Sequence, residues 1–509
     1  MTASATQSIG EHHLGRLVEQ SFERRGDYES LLFEGRWHRS GELFDRARRL
    51  AGGLAERGVE PGDRVVVSMA NCPEVTITYQ ALWLAGAVVT PAMFLLPAPD
   101  LRHLIADSEA RAVVTTPEFL PKVMEAAQGI DTLGHVICTE AAEGAVALSD
   151  VEAAESRPLV PRRDDDLAAL LYTGGTTGRS KGVMLSHANL HYTGRASHRA
   201  AHVDGVTRGL TTLPLSHAYG LLVTLAGLQN PERLVSVLLR WFDPDAFMAL
   251  IAEHRLQLSA VVPTMLQVLL TKPLEDHDLS SLAYVTSGGA PLPAEVEHEF
   301  SRRVPTAVIR QGYGMTETAA LISAVPAGQS RPGSVGRPVP GTDLEIRDGD
   351  GRPLPAGEIG EICCRSPGVM RGYWNAPEAT AEALGGGWLH TGDVGYLDDE
   401  GYLFIVDRKK DLIIRGGFNV YPRDVEDALV RHPDVRMAAV VGRPSDRHGE
   451  EVVAFVSLAP GATASPEDLI AWAREHIGGY RYPRELHLVE SIPLTPVGKI
   501  DRKALRNRL

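Results

Sequence analysis

The stretch Leu171-Tyr-Thr-Gly-Gly-Thr-Thr-Gly-Arg-Ser-Lys-Gly-Val183 is the part of the chain that decides how the rest is interpreted. The apolar run Leu167 to Tyr172 predicts a buried strand that leads into a glycine-rich bend. Because glycine has no Cβ, backbone N–H groups in such a bend can form an anion-binding concavity. Threonine hydroxyls and Lys181 add donors, so the stretch predicts a polyphosphate site. The stretch is not a Walker A loop, because no Gly-Lys-Ser/Thr closes it at the required spacing. The alternative to a phosphate site is an exposed, flexible loop.

Composition places the chain among globular proteins with more than one domain. At 509 residues we expect roughly two to four domains or subdomains. The net charge of -14 argues against nucleic-acid binding. No apolar stretch is long enough to span a membrane, and the N-terminus has no signal pattern. The four cysteines form no CxxC pair, so we expect a cytoplasmic protein.

Strand and helix signals alternate in two regions, residues 61–115 and 207–300, which predicts an α/β fold with mostly parallel sheets. The strand signals are Arg64–Met69, Ala87–Thr90, Ala112–Thr116, Leu210–Leu213, Leu234–Leu239, Leu258–Val262 and Leu282–Thr286. The helix signals are Glu74–Leu84, Leu101–Ala106, Leu221–Leu228 and Pro244–His254. Glycine- and proline-rich segments at 325–342, 366–377 and 385–395 are expected to be loops.

Three further stretches are candidate site segments. Leu213-Pro-Leu-Ser-His-Ala-Tyr-Gly220 carries a histidine after a strand, which is more often structural than functional. Ser287-Gly-Gly-Ala-Pro-Leu292 is a glycine turn at the end of a parallel strand, where ligands bind. Arg310-Gln-Gly-Tyr-Gly-Met-Thr-Glu-Thr318 offers an aromatic ring for a flat base and a carboxylate for magnesium.

In their order and spacing these four stretches resemble the adenylate-forming enzymes: acyl-CoA synthetases, firefly luciferase and nonribosomal peptide synthetase adenylation domains. The resemblance covers residues 30–509. The further motifs that carry it are Pro332-Gly-Ser-Val-Gly-Arg-Pro338, Gly357-Glu-Ile-Gly-Glu361, Gly372-Tyr-Trp374, Gly387-Trp-Leu-His-Thr-Gly-Asp-Val-Gly395, Val406-Asp-Arg-Lys-Lys-Asp-Leu-Ile413, Gly416-Gly-Phe-Asn-Val-Tyr-Pro422 and Leu494-Thr-Pro-Val-Gly-Lys-Ile500.

The resemblance implies a two-step reaction. A carboxylate attacks the α-phosphorus of ATP, which gives an acyl-adenylate and pyrophosphate, and a thiol, usually that of coenzyme A, then displaces AMP. Fixed positive charge is needed where the two anions meet, and a magnesium ion is needed on the phosphates. The implied cofactors are ATP, Mg²⁺ and coenzyme A or a phosphopantetheine.

The resemblance also implies a role for individual residues. The phosphate loop is matched by Thr173, Gly174, Gly175, Thr176, Thr177 and Lys181, and the adenine site by Gly288, Gly289, Ala290, Pro291, Gln311, Gly312 and Tyr313, with Tyr313 stacking on the base. Thr316 matches the residue that contacts the α-phosphate, and Glu317 matches the magnesium ligand. Asp393 matches the acid that accepts both ribose hydroxyls, and Arg408 matches the basic residue near the ribose and phosphate. Lys499 matches the catalytic lysine that bridges the acyl carboxylate and the α-phosphate, and His217 the histidine at the carboxylate end of the acyl pocket.

The implied architecture is a large N-terminal domain, residues 1–407, built of parallel-sheet αβ subdomains, and a small mobile α/β lid, residues 408–509. The lid is expected to rotate about Lys410 between the two half-reactions. Rotation would withdraw Lys499 and bring Gly416 and Gly417 to the thiol channel. Ser465, Pro466 and Asp468 predict the start of a lid helix.

Several positions depart from the family pattern and leave the substrates open. Trp241 stands where many coenzyme A ligases have Lys or Arg, with Arg240 as a neighbouring substitute, so an acyl carrier protein or an amine remains an alternative acceptor. Ala218 replaces the aspartate of amino-acid-activating relatives. The expected pocket walls are Ala218, Leu221, Ala320 and Leu321, together with Gly288 and Gly312. They are small or apolar, which indicates an aryl or medium-length alkyl acid.

Two other classes of protein compete with this interpretation. A kinase or ATPase would use the loop from Thr173 to Lys181 and release ADP rather than AMP. A nonenzymatic binding protein on the same scaffold would not need Lys181, Glu317, Asp393, Arg408 and Lys499 together, and all five are present.

Overall fold

The computed structural model describes residues 9–173, 179–329, 331–495 and 499–509. These residues form two large, mostly parallel sheets, a small antiparallel sheet and a C-terminal sheet with its own helices. This architecture confirms the predicted α/β fold with a large N-terminal part and a smaller C-terminal part.

The nine-stranded sheet has a parallel centre and antiparallel ends. In spatial order its strands are Arg337–Pro338, Ser323–Ala324, Val308–Tyr313, Tyr284–Ser287, Leu258–Val261, Arg208–Thr211, Val235–Leu238, Glu29–Phe33 and Arg36–Arg39. The eight-stranded sheet is also parallel except at one end. Its strands are Gly372–Tyr373, Lys181–Ser186, Leu167–Thr173, Val88–Pro91, Arg64–Ser68, Ala112–Thr115, His135–Cys138 and Val146–Ala147.

The two smaller sheets lie later in the chain. The four-stranded antiparallel sheet consists of Asp343–Arg347, Gly360–Arg365, Leu389–Leu397 and Leu403–Arg408. The C-terminal sheet consists of Phe418–Val420, Ile413–Arg415, Gly449–Leu458 and Val435–Ser445, with Glu485–Leu488 added beside Gly449–Leu458. The change from one sheet to the next therefore falls between Arg408 and Ile413, which includes the proposed hinge.

The helices cover the faces of the sheets. Those of the N-terminal part are Leu14–Arg25, Ser40–Glu56, Pro73–Leu84, Ala98–Asp107, Leu120–Ala127, Leu148–Val151, His187–Ala201, Ala218–Gln229, Pro244–His254, Pro263–Leu270, Ala294–Arg303 and Pro377–Ala383. Short 3₁₀ turns lie at Leu274–Asp276, Thr316–Thr318 and Gly385–Gly387. The C-terminal helices are Pro422–Val430, Pro466–Ile477 and Arg502–Arg506.

Local chemistry explains where two of these helices begin. Pro244 occupies the first turn, where its missing N–H costs nothing, and the Asp243 carboxylate accepts from the Ala246 N–H at 2.7 Å. In the C-terminal part, Ser465 and Asp468 form the reciprocal pair of a capping box before Pro466–Ile477. The helix Pro244–His254 was predicted at these bounds, and the start of the second helix was predicted from Ser465, Pro466 and Asp468.

One loop prediction is wrong. Residues 389–395 do not belong to a loop, since they form most of the strand Leu389–Leu397. At Gly395 the strand requires a glycine, because a Cβ there would lie 2.4 Å from the Phe404 carbonyl oxygen of the neighbouring strand. A register shift between Val394 and Gly395 also marks a bulge at this point. Within segment 366–377, Gly372–Tyr373 likewise pairs with the strand Lys181–Ser186.

Separate apolar clusters stabilise the two parts of the chain. The main cluster of the N-terminal part includes the fully buried side chains of Trp83 and Tyr79. The C-terminal part has its own cluster around Val440, Val452 and Leu469. A piece with its own core can move as a unit, as a rotating lid requires.

Candidate active site

The candidate site lies where parallel strands of the nine-stranded sheet end. Tyr284–Ser287 and Val308–Tyr313 are adjacent in that sheet, so the turn at Gly288 and the turn at Thr316 open at the same edge. The predicted site residues on these two segments are therefore brought together by the sheet itself.

Tyr313 and Asp393, which are far apart in the sequence, are in direct contact. The Tyr313 hydroxyl donates to Asp393 Oδ2 at 2.7 Å, and Asp393 Oδ1 lies 3.5 Å from Arg408 Nε. Asp393 and Arg408 are also register partners on neighbouring strands. The predicted base-stacking, ribose and phosphate residues therefore form one connected group, and burial raises the pKa of the Tyr313 hydroxyl, which keeps it a neutral donor.

Glu317 is buried on the 3₁₀ turn Thr316–Thr318, beside Thr316. Its Oε1 accepts from the Tyr373 hydroxyl at 2.7 Å, and burial raises the pKa of the Glu317 carboxyl. Lys181 Nζ lies 5.1 Å from the centre of the Tyr373 ring. Tyr373 therefore links the predicted magnesium ligand to the lysine of the phosphate loop.

Lys499 lies in this site although it belongs to the C-terminal part. A Cβ built on Gly289 would lie 4.0 Å from Lys499 Cε. Burial and the neighbouring positive charge of Arg408 lower the pKa of the Lys499 amine to about 8, against the opposing influence of Asp393 and Glu317. Lys499 therefore lies next to the turn at Gly289, within electrostatic range of Arg408, Asp393 and Glu317.

His217 caps the helix Ala218–Gln229 at the same site. Its Nδ1 accepts from the Tyr219 N–H at 3.2 Å, so the proton of the neutral ring is on Nε2. Burial, and secondly the charge of Lys499, lowers the pKa of His217 to about 3. The ring is therefore a neutral hydrogen-bond donor that stays neutral in physiological conditions.

The phosphate loop is described only at its ends. Thr173 ends one strand and Lys181 begins the next, and the two residues are register partners. Lys181 is exposed. Gly174, Gly175, Thr176 and Thr177 lie outside the described residues.

The predicted adenine segment follows Tyr284–Ser287 as a tight turn. Gly289 has a φ of +80°, which side-chain-bearing residues rarely adopt, and Ala290 and Pro291 complete the turn. Gln311 and Gly312 lie on the adjacent strand, where Gln311 Nε2 donates to Glu297 Oε2 at 3.0 Å.

The expected acyl-pocket residues line one apolar region. Ala218 and Leu221 are buried in the main core, against which Ala320 packs. Leu321 is buried in an adjoining cluster against which Tyr219 packs. Ala320 has a φ of +72°, a strained conformation that functional sites often contain.

The proposed hinge and the proposed lid turn both lie between strands. Lys410 is two residues beyond the strand Leu403–Arg408, and Gly416 and Gly417 form the turn before Phe418–Val420. Both glycines have positive φ, +58° and +83°.

Three residues near the site were not predicted: Tyr219, Glu297 and Tyr373. Tyr219 Oη contacts Thr286 Oγ1 at 3.2 Å, and its Cε1 would lie 3.3 Å from a Cβ on Gly288. Tyr373 was part of a quoted motif, Gly372-Tyr-Trp374, which was the only available signal. Tyr219 lay beside the pocket histidine, whereas nothing in the sequence indicated Glu297.

Comparison with known proteins agrees with this geometry. A family model described as AMP-binding enzyme matches residues 18–374, and one described as AMP-binding enzyme C-terminal domain matches residues 424–499. A feruloyl-CoA synthase of Amycolatopsis is 39% identical over 472 residues, 92% of this chain and 93% of that protein. A 4-coumarate–CoA ligase of Solanum tuberosum is 35% identical over 511 residues, 96% and 93% of the two chains. The solved structure of the amide bond synthetase McbA from Marinactinospora thermotolerans superimposes with a TM-score of 0.88 at 33% identity, covering 97% of this chain and 99% of that one.

Proposed function

Because the chain belongs to the AMP-binding enzyme family, we propose that it joins an aryl carboxylic acid to the thiol of coenzyme A. The general activity is that of an AMP-forming ligase. ATP activates a carboxylic acid as an acyl-adenylate with release of pyrophosphate, and the acyl group then passes to a thiol. The specific acid, the acceptor and the residue roles below are our proposal.

The observation that carries the mechanism is the position of Lys499 among groups of the N-terminal part. Its ammonium group lies near Glu317, Asp393 and His217, and its Cε near Gly289. A carboxylate and the α-phosphate repel each other, and a fixed cation between them lowers the barrier to attack. We assign that role to Lys499, with the Nε2–H of neutral His217 donating to the acyl carboxylate.

The remaining site residues bind and orient ATP. Asp393 accepts the ribose hydroxyls, Tyr313 supports both the base and Asp393, and Arg408 lies beside the ribose and phosphate. Thr316, Thr173 and Lys181 donate to the phosphates. Glu317 is a buried carboxylate with one oxygen held by Tyr373, and its chemistry fits a Mg²⁺ ligand. When bound, the ion neutralises phosphate charge.

An aromatic acid fits the apolar region beside His217. A Cβ on Gly288 would lie 3.3 Å from both Tyr219 Cε1 and the Gly312 carbonyl oxygen, which is a tight contact, so the glycine lets the Tyr219 ring pack close to this turn. Beside the apolar Ala218, Leu221, Ala320 and Leu321, the Tyr219 ring offers an apolar and aromatic surface that suits a planar acid. The named substrates of two relatives, ferulate and 4-coumarate, are acids of this type.

One observation favours a second candidate, in which an amine is the acceptor. Arg240, the expected substitute for a coenzyme A phosphate contact, is already paired with Glu34 at 2.8 Å and Glu118 at 3.4 Å. Its neighbour Trp241 is 55% exposed and carries no charge. The amide bond synthetase among the similar structures shows that the fold accommodates an amine-using enzyme.

The experiment that tests this proposal offers both acceptors to the same enzyme. Purified protein, ATP and Mg²⁺ are incubated with a panel of aryl and alkyl acids, once with coenzyme A and once with a panel of primary amines. We expect an acyl-CoA thioester by mass spectrometry, with aryl acids preferred. Amide formation with no thioester would replace the first candidate by the second. Preference for alkyl acids would contradict the assignment of the pocket.

A further inference from the structure

We propose that Glu361, Cys363 and His390 form a binding site for a divalent transition-metal ion, separate from the magnesium ligand Glu317. Among the residues that the structure describes, these three side chains bring a carboxylate oxygen, a thiol sulfur and an imidazole nitrogen within 4.8 Å of one another. This proposal does not depend on which acid or acceptor the enzyme uses.

Two of the three distances between the donor atoms match those around a single ion, and the third is at most 4.8 Å. His390 Nδ1 lies 3.5 Å from Cys363 Sγ and 3.5 Å from Glu361 Oε2. Metal–nitrogen and metal–oxygen bonds of about 2.0 Å and a metal–sulfur bond of about 2.3 Å place tetrahedral ligand atoms about 3.5 Å apart. The set therefore needs little rearrangement to close around an ion.

The chemistry of the three donors indicates the class of metal. Thiolate and imidazole select zinc and similar borderline ions over magnesium and calcium, which prefer oxygen ligands. With three protein ligands, a fourth position is left for water. We therefore expect Zn²⁺ and Co²⁺ to bind, and Mg²⁺ not to compete.

The site is rigid at its base and open at one side. Cys363 and His390 are register partners on the neighbouring strands Gly360–Arg365 and Leu389–Leu397. Cys363 is buried, whereas the side chain of His390 is 31% exposed, so an ion can enter from solvent past the imidazole. Cys364 belongs to the main core cluster, since successive side chains alternate between the faces of a sheet.

A protein cation already neutralises the carboxylate of this group. Lys409 Nζ lies 3.0 Å from Glu361 Oε2, and the lysine side chain is 61% exposed, so it can swing into solvent. Lys409 precedes the proposed hinge residue Lys410, and His390 lies three residues before Asp393 on the same strand. Metal binding would thus release Lys409 beside the hinge and clamp the strand that carries the ribose acid.

Binding also displaces one proton, from the Cys363 thiol to solvent, as the metal–sulfur bond forms. Because the bound ligand is the thiolate, metal affinity should increase with pH.

Cobalt titration of the full-length protein is the direct test. Co²⁺ is added to chelator-treated, reduced protein, and the near-ultraviolet charge-transfer band of a cobalt–thiolate bond is recorded. We expect a band that saturates at one ion per chain and is reversed by Zn²⁺ but not by excess Mg²⁺. Absence of the band at saturating Co²⁺ would overturn the proposal.

Matched variants separate this site from the other cysteines. Cys363→Ser should abolish the band, while the adjacent Cys364→Ser should keep it. His390→Gln, at a partly exposed position, should weaken Co²⁺ binding at least about 100-fold, since loss of an outer-shell partner alone costs about 10–100-fold. Lys409→Gln should strengthen binding by removing the competing cation. A band that survives Cys363→Ser, or unchanged affinity in folded His390→Gln, would contradict the assignment.

Discussion

In the mechanism we propose, Lys499 is the residue on which the first half-reaction depends most. Replacing Lys499 by alanine removes one preorganised charge from the reacting oxygens, and we expect adenylation to fall about 10²–10³-fold. Lys503→Ala, an exposed lysine on the following helix, is the matched control and should have no effect. Acid-dependent AMP formation measures the loss.

Supplying presynthesised acyl-adenylate distinguishes a catalytic role of Lys499 from a structural one. If this lysine acts only in the first step, thioester formation from presynthesised acyl-adenylate should proceed near the wild-type rate in Lys499→Ala. Equal loss of both steps, accompanied by a lowered melting temperature, would assign Lys499 a structural role.

The pH dependence of adenylation tests whether the reaction needs the positive charge of Lys499. Because the pKa of Lys499 is lowered from its ordinary value to about 8, the residue is charged below that pH and neutral above it. We expect kcat/KM for adenylation to fall as the pH rises through about 8, since this parameter reports the free enzyme. In Lys499→Arg, whose guanidinium stays charged, the fall should disappear. A fall at the same pH in that variant would identify another group.

Among the elements, the turn at Gly416 and Gly417 tests the proposed lid rotation. In this structure a Cβ on Gly417 would have nothing within 4 Å, so Gly417→Leu should leave adenylation intact. After rotation the same turn is proposed to line the thiol channel, where a leucine would block the acceptor. Pyrophosphate exchange should persist while thioester formation collapses.

Backbone strain at Gly417 needs its own control. Its φ of +83° disfavours any side chain by about 1–2 kcal/mol. Gly461 lies in another exposed turn of the C-terminal part, with a φ of +81° and nothing within 4 Å of its Cβ position. Gly461→Leu should lose as much stability as Gly417→Leu but should keep thioester formation. If both variants lose thioester formation equally, Gly417 is needed only for the backbone conformation of the turn.

The elements also show what the sequence could and could not predict. Pro244–His254 was predicted at its observed bounds, and its start is defined locally, since Asp243 caps the helix and Pro244 occupies its first turn. The strand Leu389–Leu397 was missed because its pairing with Leu403–Arg408, not its glycine-rich composition, holds it extended. Tyr373 and Glu317 meet across 56 residues, a contact that no local pattern encodes.

At the scale of the whole molecule, buried histidines should make stability depend on pH. His13 stacks on His187 with ring centres 4.5 Å apart, and burial lowers the pKa of His13 and of His191 to about 4. The unfolded chain takes up these protons near its ordinary pKa of 6.5, so stability is full above that pH and is lost as the pH falls toward 4. The fully buried His13 contributes up to roughly 3 kcal/mol, and the partly exposed His191 contributes less because solvent screens its charge.

Urea unfolding at pH 7 and pH 5 measures this effect. The midpoint should fall at pH 5, and His13→Gln should reduce the difference between the two pH values. The exposed His476→Gln serves as control and should leave the difference unchanged. A midpoint that is the same at both pH values would show that these histidines do not govern acid stability.

In the proposed mechanism, the two separately packed parts of the chain meet at one site that forms an acyl-adenylate. Pyrophosphate exchange is the most direct test of this mechanism. Lys499 from the C-terminal part lies within electrostatic range of Glu317 and Asp393 of the N-terminal part, an arrangement suited to forming an acyl-adenylate. Exchange of labelled pyrophosphate into ATP should therefore depend on added carboxylic acid and on Mg²⁺, and the nucleotide product should be AMP. Release of ADP, or no acid-dependent exchange over a broad panel of aryl and alkyl acids, would contradict it.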